Sequence, residues 1–444
     1  MPRIRRAAAG LGLLLVVSCG IDRKIEGLFR SDSPYEEYSH ALHSAGLDST
    51  GLGRDWIAAG ERALASPVTA RLPFRETGYF APEQPAAVVY RLELRRGRRL
   101  AIDVSWDTAQ PARLFVDLFR VRDGDSPERV SSLPADSSSL RWTVRRDGTY
   151  LLRLQPELLR GGRWTVTERT LASFGFPLPG FGVPAVKSRF GVDREAGRRR
   201  HEGIDIFAPR GTPMVAVVDG YARSGTNELG GNVVWLQDAG EGRALYYAHL
   251  ERWAPASDGY VRIGDTLGFV GNTGNARTTP PHLHFGIYQQ GAVDPLPFVL
   301  PDDPAPPLVG APVDRVGQWV RITARTVVVR AGPHPEADTV GRLERGAVAR
   351  VTAASLGAFR VALPDASEVY VEATAVARAA DGARPSRLEA GAVVRESPDS
   401  TAPAVEVLSA ATDVGILGRF GEFELVRLPD ARLAWWRSPN TPTR

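Results

Sequence analysis

The sequence predicts a mainly β, multidomain protein, and three observations carry that prediction. Apolar residues alternate at period two, as in Leu92 and Leu94, then Leu100, Ile102, Val104 and Trp106, then Leu114, Val116 and Leu118, the pattern of half-buried strands. Glycine (45) and proline (34) punctuate the chain at short intervals, which suits tight turns and close backbone approach rather than long helices. The C-terminal part repeats itself at a spacing of about 65 residues. With 444 residues, 43% of them hydrophobic, the chain exceeds one ordinary core and should divide into several domains.

The elements follow in order. Arg3, Arg5 and Arg6 precede an apolar run, Ala7 to Val17, and then Cys19. A run of about ten residues is too short to span a bilayer and reads as a secretory signal. Val16-Val17-Ser18-Cys19-Gly20 resembles a bacterial lipobox. That resemblance implies lipidation of Cys19 after residues 1–19 act as signal. It makes the chain an exported cell-envelope protein whose anchor holds it to a membrane, with the outer membrane or periplasmic face favoured because Gly20 follows the cysteine. The alternative is a plain secretory signal with an incidental cysteine. No cysteine follows Cys19, so the folded part must do without internal disulfides.

Residues 33–66 read as a short helical segment. Ser33 is placed at an N-cap, Pro34 at the first helical position and Glu36 where it completes a capping box. Tyr35, Tyr38 and Leu42 recur at helical spacing, Gly46 is placed to stop the helix, and Trp56, Ile57 and Leu64 suggest a second. A helical hairpin packed on the next domain is expected. Residues 68–170 read as a β-sandwich, resembling the jelly-roll domains of secreted peptidases in the stretch Asp147 to Val166. Residues 183–300 form one glycine-rich antiparallel β unit, and 301–314 a proline-rich, extended linker. Two small β-barrels follow at 315–378 and 385–438. In the repeat, Val329-Arg330 matches Val394-Arg395, Leu343 matches Leu408, and Val361 to Asp365 matches Val426 to Asp430. The Val-Arg-x-x-Pro start resembles bacterial SH3-like domains of wall-associated proteins.

Charge excludes one class of partner. Lys+Arg 55 against Asp+Glu 51 leaves a net charge of +4, with arginines scattered rather than gathered into a stripe interleaved with aromatics, so no nucleic acid is expected.

The chemistry concentrates in the 183–300 unit, which holds His201, His249, His282 and His284, four of the seven histidines. His201 and Asp205 offer a nitrogen and an oxygen ligand four residues apart. His282 and His284 flank Leu283, so on a strand both imidazoles share one face. Two His and one Asp suit a catalytic zinc, which takes three protein ligands and leaves a position for water. His201-Glu202 also looks like the start of a His-Glu-x-x-His helix, but Asp205 stands at the second His position and Gly203 is a poor helix residue, so Glu202 is not assigned as a base.

His201-x-x-x-Asp205, Tyr247-Ala248-His249-Leu250 and Pro281-His282-Leu283-His284-Phe285 resemble the three motifs of the lysostaphin/LytM-type zinc endopeptidases. The similarity extends over about Val186 to Leu300 and includes Gly264 to Gly268 and Val293-Asp294-Pro295. It implies that His201, Asp205 and His284 bind one zinc ion per chain and that His249 and His282 are the catalytic histidines, His282 as general base and His249 as donor to the oxyanion. It further implies hydrolysis of peptide bonds in peptidoglycan stem peptides or cross-links. The alternatives are a catalytically silent wall-binding or regulatory lipoprotein that activates other hydrolases, and a metallopeptidase acting on proteins. Arg189 and Tyr221 are candidates for the cleft wall.

Overall fold

The computed structural model describes residues 31–122, 124, 126–194 and 196–438; Cys19 and the signal segment lie outside them. Among the described residues no helix is long and apolar enough to cross a membrane.

The helical segment forms as its capping residues dictate. Helix Pro34–Ser44 starts on Ser33, whose side chain accepts from the Glu36 amide while the Glu36 carboxylate accepts from the Ser33 amide; these bonds satisfy amides that have no partner within the helix. Helix Gly51–Ala65 starts on Thr50. Both pack on the adjoining sandwich through Leu42 and Trp56, which cluster with Phe115. Trp56 stacks on Tyr35 at 5.0 Å and donates its indole N–H to the Pro156 carbonyl at 2.8 Å.

Two facing sheets follow the helices. One five-stranded sheet runs in the order Val68–Thr69, Val88–Leu94, Gly148–Pro156, Leu114–Arg120, Glu128–Ser132. The facing sheet contains Phe74–Phe80, Gly162–Ala172, Arg98–Asp107 and Ser139–Thr143, and the alternating residues of both close over one core that includes Tyr90, Leu92, Leu100, Ile102, Leu152, Trp164 and Val166.

The sandwich and the first barrel share a sheet: Thr77 pairs with Ala354 and Gly78 with Ala353, and Ala353 belongs to the sandwich core. A β-carbon on Gly78 would lie 2.1 Å from the Trp164 ring, so glycine is required where the indole crosses that strand. Across the junction Glu76 accepts hydrogen bonds from Tyr90 and Tyr370 and pairs with the Arg360 guanidinium. The linker is extended but not a free tether. Thr170 and Ala172 donate their amides to Asp303 and Asp302 at 2.7 and 2.8 Å, and Arg98 donates to the carbonyls of Leu300 and Pro301.

The internal repeat is visible as repeated topology. In the first copy the strands run Thr339–Glu344, Thr326–Arg330, Glu368–Glu372, Ala358–Ala362, Val348–Ser355, with Trp319–Ile322 on the last. In the second they run Ala404–Val407, Val393–Arg395, Leu433–Arg437, Phe423–Arg427, Thr412–Phe420, Arg384–Leu388. The order is the same because the same apolar positions face each core. The copies meet over Val348, Ala379, Leu417, Phe423, Leu425 and Trp435.

The central unit is an antiparallel sheet in the order Val186–Ser188, Ile204–Phe207, His282–Tyr288, Ala244–Trp253, Gly231–Asp238, Gly220–Asn227, Gly259–Val261. Its inner face packs Ile204, Ile206, Leu283, Phe285, Ile287, Leu245, Tyr247, Val234 and Leu236 into one core. The opposite face is left for function.

Candidate metal centre and cleft

Strand alternation decides which side chains reach the open face. Ile204, Ile206 and Leu283 are fully buried in the core, so Asp205, His282 and His284 must point the other way. Register then brings them together: Asp205 is directly opposite His284, Phe207 opposite His282, and Ala248 opposite His284 on the other side. Gly203 completes the arrangement, since a β-carbon there would lie 2.7 Å from the His284 ring. Only glycine lets the chain pass between the first and last ligands.

His201, Asp205 and His284 form a group of potential metal ligands. His201 Nε2 lies 2.9 Å from Asp205 Oδ1 and 3.0 Å from His284 Nδ1, and the latter two atoms are 3.0 Å apart. The His201 tautomer is set by the backbone: its Nδ1–H donates to the Arg189 carbonyl at 2.8 Å, which leaves Nε2 as a lone pair when the ring is neutral. A lone pair, a carboxylate oxygen and a second imidazole nitrogen thus converge on one point. Acceptors so close repel one another unless a cation lies between them, and two nitrogens and one oxygen are a donor set that zinc takes at about 2.0–2.2 Å. The residues fit a divalent metal. Burial opposes ionisation of Asp205, but the two imidazoles outweigh it and hold the carboxyl well below the usual range. Desolvation lowers the pKa of His284.

His249 and His282 stand beside this centre without joining it. Their ring centroids are 4.9 Å apart, and His249 is 6.0 Å from His284. Each Nδ1–H donates to a carbonyl at 2.9 Å, His282 to Pro280 and His249 to Thr273, so in the neutral rings both Nε2 atoms carry lone pairs. The His282 ring lies flat on Phe207 at 4.9 Å. His249 has a left-handed backbone with φ 68°, an uncommon and costly conformation away from glycine. Its amide is held there by the Gly230 carbonyl at 2.8 Å. Burial, then the nearby His282 and His284, push its pKa down to about 4, so His249 is neutral at neutral pH.

The five residues line a cleft of about 720 Å³. Glu202 reaches its rim, outside any helix, and accepts from the Tyr288 hydroxyl at 3.2 Å. Neither cleft candidate lines the cleft: Arg189 contributes only its backbone carbonyl to His201, and Tyr221 is 65% exposed. The structure adds residues that the sequence reading passed over. Trp235, Tyr246 and Tyr288 form an aromatic wall next to His284, with Trp235 and Tyr246 centroids 4.4 Å apart. Alternation could have found Trp235, since buried Val234 and Leu236 flank it. Ser188 and Arg194 also reach the centre, through side-chain contacts over 6 and 11 residues that follow neither strand alternation nor a motif.

Residues 199–295 match the family model described as Peptidase family M23. The chain is 43% identical over 105 residues to a DD-carboxypeptidase/endopeptidase Mpg of Neisseria meningitidis serogroup B, a match covering 23% of this chain and 24% of that protein. It is 36% identical over 94 residues to the peptidoglycan DD-endopeptidase ShyC of Vibrio cholerae, covering 21% of each. Among solved structures it resembles the catalytic domain of lysostaphin from Staphylococcus simulans, with 30% identity, 27% of this chain and 89% of that one covered, and a TM-score of 0.23. The chain thus spans about a quarter or less of the length of these two curated relatives.

Proposed function

We propose that this chain, whose residues 199–295 match the model of Peptidase family M23, is a zinc-dependent endopeptidase that hydrolyses peptide bonds in peptidoglycan. The observation that carries this reading is the convergence of His201 Nε2, Asp205 Oδ1 and His284 Nδ1 at 2.9–3.0 Å beside two further imidazoles. The substrate class follows from the name of the Vibrio cholerae relative.

His201, Asp205 and His284 would hold the zinc. Zinc bound there would polarise the scissile carbonyl and ease ionisation of water near neutral pH. The protein's own groups manage the protons. His282 takes the proton of the attacking water at Nε2, its tautomer fixed by the Pro280 carbonyl and its ring orientation by Phe207. His249 faces the developing oxyanion. Because Thr273 holds the neutral ring with its lone pair at Nε2, His249 donates only in its protonated form, and its depressed pKa makes that form a ready acid. The proton that His282 takes from the water would pass to the leaving amine nitrogen, directly or by way of His249, so that both rings end the cycle neutral. Trp235, Tyr246 and Tyr288 line the cleft and would flank a bound peptide.

The N-terminal lipid anchor at Cys19 and wall binding by the SH3-like repeats would place this activity at the cell envelope. The direct test uses the chain lacking its first twenty residues on purified peptidoglycan sacculi. Release of peptide fragments, abolished by a chelator and by H282A, with one zinc found per chain, is expected. A zinc-loaded protein that leaves sacculi intact would sink the enzyme reading in favour of a regulatory one. For the anchor, C19S should shift the full chain out of the membrane fraction.

A further inference from the structure

We propose that Arg194 is a positioning residue that locks Asp205 into binding metal through a single oxygen. This rests on the zinc site just described and extends it to a residue outside the ligand set. The Asp205 carboxylate is 6% exposed and has its two oxygens in different roles. Oδ1 faces His201 and His284 at 2.9 and 3.0 Å. Oδ2 points away and accepts from Arg194 Nη2 at 2.6 Å.

The same guanidinium nitrogen donates to Ser188 Oγ at 2.7 Å, so both of its hydrogens are committed. Ser188 is the residue directly opposite Asp205 in the sheet, after a register irregularity that begins at Val186. Its hydroxyl also lies 3.3 Å from His201 Nδ1. One outer network therefore touches two of the three ligands.

The anchoring of Arg194 explains why it can act as a fixed point. It lies in the short strand Asp193–Arg194, paired with Arg199–Arg200 immediately before His201. Reciprocal backbone bonds, from the Gly191 amide to the His201 carbonyl and from the His201 amide to the Val192 carbonyl, tie this segment to the first ligand. A carboxylate rotates readily about its Cβ–Cγ bond, and a buried one whose outer oxygen lacks a donor will turn to find one. Arg194 removes that freedom, keeping Oδ1 on the metal point and Oδ2 off it. Outer partners of metal ligands commonly account for 10- to 100-fold in metal affinity.

The test is zinc affinity, measured by competition with a fluorescent chelator on the chain lacking its first twenty residues. The variants are R194M, which keeps side-chain bulk, and R194K, which restores one donor nitrogen. R194M should bind zinc about 10- to 100-fold more weakly, and R194K should recover part of the loss. At saturating zinc, KM for a peptidoglycan-derived peptide should stay within about twofold of wild type, since Arg194 acts on the ligand and not on substrate. Unchanged zinc affinity in R194M with a raised KM would overturn the proposal and make Arg194 a substrate contact. Tighter zinc binding in R194M would overturn it as well, because Arg194 would then act only as a repelling charge. A wild-type chain that takes up no zinc would overturn the site reading and this proposal together, whereas equal affinity in wild type and R194M overturns this one alone.

Discussion

The junction between the sandwich and the first barrel should make the protein less stable as pH rises, and Glu168 is the reason. Its side chain is fully buried on strand Gly162–Ala172, and neither carboxylate oxygen has a hydrogen-bond partner among the described residues. Phe74 is opposite Glu168 and Glu76 opposite Val166, so the two glutamates are diagonal neighbours on one face. Glu76 takes the available donors, Tyr90, Tyr370 and Arg360. Burial, then the Glu76 charge, push Glu168 up from 4.5 to about 8. Between those values the unfolded chain has released a proton that the folded chain retains, so stability is fullest below pH 4.5 and falls as pH rises toward 8. At about 1.4 kcal/mol per unit, the loss between pH 5 and pH 8 is on the order of a few kcal/mol. Glu168→Gln keeps the shape and removes the titration. The Gln amide also lacks partners, which offsets all pH values alike, so the slope rather than the absolute stability is diagnostic. Calorimetry of the chain lacking its first twenty residues should show the sandwich transition of wild type falling by about 10 °C from pH 5 to pH 8, and that of E168Q falling much less. Parallel pH slopes for the two proteins would refute the reasoning.

Three further outcomes can be checked. Arg360→Ala strands Glu76, which is 0% exposed, without its cation, and should cost about 3–5 kcal/mol, read by denaturant melting. Gly231→Ala places a β-carbon 2.3 Å from the Gly274 amide and the Thr273 hydroxyl at a φ of 65°. It should destabilise by about 1–3 kcal/mol and, by displacing the Thr273 carbonyl that orients His249, lower kcat more than KM on a peptidoglycan-derived peptide. Trp56→Ala removes a ring that is 1% exposed and its bond to Pro156. A loss of about 3–5 kcal/mol is expected, with faster proteolysis of residues 33–66; unchanged cleavage would mean the helices do not depend on that contact.

Local chemistry made much of this protein legible from its residues alone. The capping box at Ser33 and Glu36 fixes a helix start by bonds within four residues. Period-two alternation places Leu283 inward and His282 and His284 outward with no knowledge of the partner strands. The repeat at 65 residues appears as two sheets of the same strand order because equivalent apolar positions must face equivalent cores. The five histidine and aspartate residues that line the cleft all stand in short local motifs.

Other features depend on strand register and on hydrogen-bond partners that no side-chain pattern marks, and these only the tertiary structure decided. The sandwich and first barrel are joined by pairing Thr77 with Ala354, a register that neither strand's own pattern specifies. The linker's acidic residues look solvated in sequence, yet they cap a sheet edge at Thr170 and Ala172. Thr273 and Pro280 set the tautomers of His249 and His282 through backbone carbonyls, which every residue possesses and no side-chain pattern marks. Arg194 and Ser188 reach Asp205 because a short strand pairing and a register shift bring them there. Residue type and spacing determined which groups could bind metal and move protons. Strand register and outer hydrogen bonds determined how those groups are oriented, because orientation is set by partners that sequence distance does not reveal.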